Sequence, residues 1–244
     1  MHSDLLCFVL SLERATQRRA QIASSLTQLG ISFQFVNGFD ARATDITAHP
    51  QVDASQLCAT LGRKLTPGEL AAALGHSLAY RALLESQAKF ALILEDDAIL
   101  KPDLVQFIRT KAYSRNPLMM LGHHYTHAYK GGAQRLFPGY QILRPSNLPV
   151  CTVGYTLDRA TAATLLAANT PVHSVADWPV DVLQLNLRVI SPPLVVHPVY
   201  LESMSMIGER PVEGPPSRNR QLKDYLSARY WQRKWTKLRT RKIS

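Results

Sequence analysis

Near its start the chain carries LLCFVLSL (residues 5–12), a compact apolar run of strand length. RRAQIASSLTQLG follows, in which Ala20, Ile22, Ala23, Leu26 and Leu29 recur at helical spacing until Gly30. A run apolar on both faces fits a buried strand, and a recurrence of about 3.6 residues fits a helix lying on a sheet. SFQFVNGFDA then alternates as a second strand. The opening therefore reads as a β-α-β unit, which favours a parallel sheet flanked by helices. Residues 41–65 are polar and mixed, as in a surface excursion.

From Pro67 the pattern becomes helical again. Thr66 is placed to cap that helix, Pro67 suits its first position, and Leu70, Leu74, Leu78 and Ala82 form a stripe. KFALILEDDAILKP places a central strand at 90–94, with Glu95, Asp96 and Asp97 at its carboxyl end. DLVQFIRTKAY predicts a short helix and LMMLGHH a further strand, while 126–148 reads as loop. CTVGYTLDRATAATLL predicts a strand, a turn at Asp158 and a helix; PLVVHPVYL predicts a last strand. The whole reads as one α/β domain over 1–207, followed by a Pro-rich linker and tail over 208–244.

Charge sharpens that division. The net charge is +10, yet residues 218–244 alone hold ten Lys or Arg against one acid, Asp224. The preceding 217 residues are nearly neutral, with eighteen basic and seventeen acidic side chains. A dedicated nucleic-acid binder carries its basic charge across a folded face, so that class is disfavoured. The tail interleaves its cations with Tyr225, Tyr230, Trp231 and Trp235, a composition suited to an anionic membrane surface. No apolar run is long enough to span a bilayer. The N-terminus lacks a basic leader and reads as a strand, not a signal peptide. Three well-separated cysteines, Cys7, Cys58 and Cys151, fit reduced thiols in a cytosolic protein.

Ligands of open α/β sheets bind beyond the carboxyl ends of strands. Glu95 and Asp97, two residues apart, project to one side of an extended chain, with Asp96 opposed. Paired carboxylates there suit Mg²⁺ or Mn²⁺ bridging to a diphosphate, although a solvated turn has the same spacing. Arg14, Arg18 and Arg19 follow the first strand, where a helix start also attracts phosphate; an exposed basic helix is the alternative. His76 shares a helix side with Glu69 and Tyr80, as a ligand, a proton carrier or a structural histidine. GHHYTHAY groups His123, His124 and His127 but lacks the spacing and partners of a zinc site. Asp177 and Asp181 flank Trp178 and Pro179, as in a sugar-binding floor beside a base, or as a helix cap. His197 leaves the last strand, placed either to complete a metal shell or simply to end the strand.

Taken in order, VLSLERATQRRAQI, GISFQFVNGFDA, PGELAAALGHSLAYRALL, ALILEDDAIL, CTVGYTLDRATAATLL and WPVDVL resemble glycosyltransferase family 25, the lipooligosaccharide galactosyltransferase group. The resemblance implies a GT-A-like domain with a Rossmann-like, mostly parallel sheet. It implies an inverting hexosyl transfer, galactose from UDP-galactose, onto a lipid-linked oligosaccharide. Carried onto this chain, Ser11, Leu12, Arg14, Arg18, Glu95 and Asp96 face the donor. Asp97, with Glu95 and His197, takes Mn²⁺ or Mg²⁺. Asp181 is the first choice for the base and His76 the second. The enzyme would sit on the inner face of the cell membrane, held by residues 218–244. Ala73 and Gly75 stand where the family has Cys and Ser, and His197 where glutamine is common; these departures bear on sugar and acceptor identity. The competing readings are a nucleic-acid-binding protein using its tail and a catalytically inactive scaffold of the same fold.

Overall fold

The structure, a computed structural model, describes residues 4–59, 61–198 and 238–243. Strand β1 (Leu5–Ser11) leads into helix α1 (Thr16–Gln28) and strand β2 (Gln34–Asn37). Helix α2 (Pro67–Glu85) then feeds the central strand β3 (Phe90–Glu95). Thr66 caps α2, with Pro67 in the first turn, as the sequence predicts, and Glu69 completes a reciprocal capping box. A tight turn joins β3 to β4 (Ile99–Leu100), which precedes α3 (Leu104–Arg109) and β5 (Leu118–Met120). Three short strands follow, β6 (His127–Tyr129), β7 (Gln134–Phe137) and β8 (Tyr140–Leu143). The described chain continues through β9 (Gly154–Asp158), α4 (Arg159–Ala168), β10 (Arg188–Ser191) and β11 (Val195–Val196), with β12 (Thr240–Lys242) near its end.

Among the described residues, eight strands form the main sheet in the order β2-β1-β3-β9-β5-β10-β8-β7. Strands β1, β2, β3, β5, β7 and β10 run one way, and β9 and β8 run against them. The expected α/β class with a mostly parallel sheet therefore holds in strand direction. The chain leaves β1 for β2 on one side and returns to β3 on the other, so the carboxyl ends of β1 and β3 flank a topological switch point.

The apolar runs are buried on both faces, as continuous strand hydrophobicity requires. Cys7, Val9, Leu92 and Leu94 face Ile22 and Leu26 of α1 and Leu104 and Phe107 of α3. Phe8, Leu10, Ala91 and Ile93 face Ala79, Tyr80 and Leu83 of α2 and Ala162 and Leu165 of α4. The polar excursion 41–65 is anchored by Ile46, which packs with Leu70, Leu74 and Val172 in a third cluster.

Two sequence expectations are corrected. Residues 126–148 are not simply loop: β7 and β8 form a hairpin across Pro138–Gly139, and Gly139 adopts φ +83°. The Pro-Gly pair between RLF and YQIL was a legible turn signal. The sheet strand near the domain's end is β10, RVIS, which lies ahead of the expected PLVVHPVYL. Of that segment, Val195 and Val196 pair with β4 outside the main sheet. The expected boundary at 207/208 and most of the tail lie outside the described residues. Thr240–Lys242 pairs antiparallel with β6, so this part of the tail adds a strand to the domain.

Candidate active site

The carboxyl ends of β1 and β3 gather most of the expected side chains. Glu95 is the last residue of β3, and its N–H donates to the Val153 carbonyl at 3.0 Å. Asp96 and Asp97 occupy the turn that Ala98 N–H closes onto the Glu95 carbonyl at 3.1 Å. The three acids take different partners. Asp96 is buried toward β1, accepting from Ser11 Oγ at 2.6 Å and facing Arg18 Nη1 at 3.1 Å. His197 joins Glu95 and Asp97. One ligand atom from each of Glu95, Asp97 and His197 lies within 4.8 Å of the other two.

His197 arrives by a separate route. Val195 and Val196 pair with Leu100 and Ile99, so the ribbon that carries His197 is hydrogen-bonded to the strand just past the acidic turn. Gly122 and Gly154 make that approach feasible. A Cβ on Gly154 would lie 2.8 Å from Val195 Cγ1, and one on Gly122 would lie 2.7 Å from the Val195 carbonyl oxygen. His197 Nε2 stands 3.3 Å from Asp97 Oδ2.

The electrostatics are those of a site short of positive charge. Burial raises the Asp97 carboxyl above its usual range; Glu95 and Asp96 add to that, and His197 and Arg18 only partly offset it. Among the described residues, Asp97 Oδ1 is buried without a hydrogen-bond partner. Burial acts on Glu95 too, but His76, Thr152 and His197 outweigh it and hold this carboxyl below its ordinary value. Two carboxylates, an imidazole and an orphaned buried oxygen fit a hard divalent cation such as Mn²⁺ or Mg²⁺.

Beneath this cluster runs a buried chain of hydroxyl and imidazole groups. Tyr80 OH lies 3.0 Å from Tyr155 OH, which lies 2.7 Å from His76 Nδ1. His76 Nε2 faces Glu95 Oε1 at 3.6 Å, and Thr152 Oγ1 donates to the same oxygen at 3.0 Å. The Tyr80 hydroxyl is paired with Tyr155, so its buried hydrogen belongs on the Tyr155 oxygen. Tyr155 must then donate to Nδ1, which assigns the ring hydrogen to Nε2, pointing at Glu95. With that tautomer His76 faces Glu95 as a donor. Tyr155→Phe should cost about 1–3 kcal/mol in denaturant unfolding, because it strands both Tyr80 and His76. Tyr80→Phe should cost less, since Tyr155 keeps its acceptor; equal losses would reverse the direction of the chain.

Two grooves flank the acidic turn. One, of about 520 Å³, is lined by Ser11, Leu12, Arg14, Arg18, Phe39 and Asp40 together with the three acids. Arg14 is ion-paired with Asp40, and Arg18 bridges Asp96 and Asp97. The other, of about 320 Å³, holds Glu95, Cys151, Thr152, Asp177 and His197. Asp177 accepts from Cys151 N–H at 2.9 Å, and burial raises its carboxyl, reinforced by the charge of Glu95. Cys151 is pushed up to about 12 by burial, so its thiol is inert as a nucleophile.

Asp181, expected as the base, is not brought to this cluster. It is exposed, lies outside the lining of either groove, and caps a short turn by accepting from Leu183 N–H at 3.1 Å. Asp177, four residues earlier, enters instead, because Trp178 is buried with its indole N–H on the Pro149 carbonyl at 3.1 Å. No pattern in DWPVD distinguishes the two acids; only the anchoring of Trp178 does. Thr152 and Tyr155 were likewise invisible as site residues, sitting in an ordinary strand sequence. The histidines of GHHYTHAY are placed apart from the cluster: His123 is buried against the Ile190 carbonyl at 2.9 Å, and His127 is exposed.

An α/β domain with carboxylates and an imidazole at its switch point, beside a groove of about 520 Å³, has the architecture of a ligand-binding α/β domain. The chain matches glycosyltransferase family 25 (LPS biosynthesis protein) over residues 5–184. It belongs to that family. Among its relatives, "Probable inactive glycosyltransferase 25 family member 3" of Rattus norvegicus is 30% identical over 185 residues, covering 71% of this chain and 31% of the relative. "Inactive glycosyltransferase 25 family member 3" of Mus musculus is 30% identical, covering 71% and 30%. The chain therefore spans about a third of the length of these curated relatives. Among solved structures it is similar to a protein titled mannose-1-phosphate geranyltransferase, from Thermus thermophilus, at 12% identity and TM-score 0.44, covering 77% and 73% of the chains. It is also similar to A197 from STIV, at 11% identity and TM-score 0.43, covering 78% and 82%. Among the described residues no helix is long and apolar enough to cross a membrane.

Proposed function

We propose that this protein is an inverting glycosyltransferase that moves a hexose, galactose from UDP-galactose, onto a lipid-linked surface oligosaccharide. The observation that carries the reading is the convergence of Glu95, Asp97 and His197 around an orphaned Asp97 oxygen, at the mouth of a groove of about 520 Å³. Glu95, Asp97 and His197 would hold Mn²⁺ or Mg²⁺, and such an ion neutralises charge on a departing diphosphate. Ser11 and Arg18 brace Asp96 and so fix the turn that carries Asp97. Arg14, already paired with Asp40, faces the donor groove from its rim and can exchange that partner for a phosphate oxygen.

The acceptor lies in the second groove. Its hydroxyl oxygen forms the bond to the anomeric carbon, the bond from that carbon to the diphosphate oxygen breaks with its electron pair, and Asp177 takes the hydroxyl proton. A carboxyl raised by burial is a stronger base than an ordinary one, which suits this role. Attachment to the inner membrane face through residues 218–244 completes the reading, since a lipid-linked acceptor is presented there. Those residues, apart from 238–243, lie outside the described ones.

A second reading, a member of the fold without turnover, is favoured by the word "inactive" in the names of both relatives. One experiment separates them. Thermal unfolding is followed across a panel of nucleotide sugars with and without Mn²⁺, alongside release of nucleoside diphosphate in the presence of acceptor. A true donor at about 100 times its dissociation constant adds about 2.7 kcal/mol to stability. UDP-galactose should stabilise the protein in the presence of Mn²⁺ and turn over. Release of nucleoside diphosphate removes the inactive reading; no release under any acceptor, with or without stabilisation by a nucleotide sugar, supports it and removes the transfer reading.

A further inference from the structure

A second candidate site lies at the other end of the sheet. β8 and β10 pair antiparallel with Val189 opposite Leu143, which brings Arg144 and Arg188 side by side just beyond the paired residues. Arg188 opens β10 at its amino end, whereas Glu95 and Asp97 lie at and beyond the carboxyl end of β3, which runs in the same direction. Tyr129 and Lys130 come from the end of β6, and the Lys130 N–H donates to the Arg239 carbonyl at 2.8 Å, so the β12 segment forms one wall. Together they enclose a groove of about 760 Å³.

Among the described residues lining this groove, four are cations, Lys130, Arg144, Arg188 and Arg239, and none is an acid. Among the described residues, Lys130, Arg144 and Arg188 take part in no ion pair. Arg188 donates to the Leu187 carbonyl at 3.0 Å, and Arg144 lies over the Tyr129 ring with its guanidinium carbon 5.4 Å from the centroid. Burial holds Arg188 below its ordinary value, and the charge of Arg144 adds to that. Elsewhere in the same chain guanidinium groups find carboxylates, as Arg63 does with Glu69 at 2.7 Å. Here two neighbouring guanidiniums repel, and the described lining supplies nothing negative to answer them. A planar guanidinium matches two oxygens of a phosphate, and a dianion between two of them turns repulsion into attraction. Gly131 and Gly132, the latter at φ +78°, leave that wall without side chains.

We propose that the groove between β6, β8, β10 and β12 binds a phosphate-type oxyanion, with Arg144 and Arg188 as its principal ligands. This site is separate from the sugar-transfer reading and stands whether or not that reading holds. A phosphorylated soluble molecule and a phosphate-bearing lipid headgroup present the same chemistry, so the test has an arm for each.

The full chain is titrated calorimetrically with inorganic pyrophosphate at an ionic strength of about 0.15 M, where long-range charge effects are screened. Its recovery on phosphatidylcholine vesicles, with and without phosphatidic acid, is measured in parallel. Comparisons are the double variant Arg144→Gln/Arg188→Gln and the control Lys64→Gln, an exposed cation elsewhere. Charge-assisted bonds of this kind should make the double variant bind pyrophosphate at least about tenfold more weakly, with the control unchanged. The unliganded double variant should melt no lower than the parent, because a repulsion is removed; this distinguishes lost binding from lost folding. Loss of phosphatidic-acid-dependent recovery in the double variant assigns the site to a headgroup, and unchanged recovery with weakened pyrophosphate binding assigns it to a soluble phosphate. Equal pyrophosphate affinity in parent and double variant, or none in the parent, overturns the proposal.

Discussion

Asp97→Asn should lower hexosyl transfer at saturating Mn²⁺ by about 10²–10³-fold, the usual effect of removing one preorganised stabiliser of developing charge. The substitution keeps the size of the side chain and removes the charge that would hold the cation. Calorimetry should show Mn²⁺ binding weakened in the same variant, and chelation of the native enzyme should mimic the loss. Stability should not fall with activity. The native carboxyl is raised by burial and by its acidic neighbours, so its ionised form is a net cost to the fold at neutral pH. The melting temperature of Asp97→Asn should therefore equal or exceed the parent's. Full turnover in this variant would remove the metal role from Asp97; collapse of the fold would show that its charge is structural.

Asp177→Asn should lower kcat by about 10²–10⁴-fold, the range expected for loss of a general base, while leaving donor binding intact. Asparagine still accepts from the Cys151 N–H, so the local backbone is kept. The pH dependence tests the assignment independently. A base with a raised pKa is protonated at low pH, so kcat should rise with pH through the Asp177 ionisation, and that limb should vanish in the variant. Stability moves the opposite way. Because the folded pKa lies above the unfolded one, native Asp177 costs the fold stability as pH rises from the unfolded value, about 3.9, through the folded one. Asp177→Asn should thus melt higher at neutral pH while turning over slowly. Asp181→Ala makes the contrast: about 1 kcal/mol lost from a cap, and kcat within about twofold. If Asp181→Ala abolished turnover and Asp177→Asn did not, the two roles would exchange.

The strands and helices near the acidic turn were legible because each has a local cause. Phe90–Leu94 reads as strand from a buried apolar run, and α2 from the Thr66 cap, Pro67 and the stripe from Leu70 to Ala82. The grouping of Glu95 with Asp97 was expected from their two-residue spacing, but it is the approach of His197 that joins the two in the structure. Strand direction in the middle of the sheet was not legible. Nothing in GYTLD states that β9 enters antiparallel between β3 and β5, since either direction buries the same side chains. The hairpin of β7 and β8 was missed for another reason: its alternating pattern is diluted by polar residues on an edge that needs little apolar surface.

By itself, the sequence determined that this is an α/β protein, that its acidic turn ends a buried strand, and that its excess positive charge is concentrated in residues 218–244. These properties depend on neighbours along the chain, whose geometry is set by backbone period and burial. Tertiary structure alone decided that His197 meets Asp97, that Asp177 rather than Asp181 faces the cluster, and that Tyr155 links Tyr80 to His76. Each of those meetings joins residues tens of positions apart. The docking of Val195 against Gly122 and Gly154, the burial of Trp178 and the packing of α2 on the sheet set them. Such contacts depend on shapes that fit only once the chain has folded, and the spacing of residues along the sequence does not encode them.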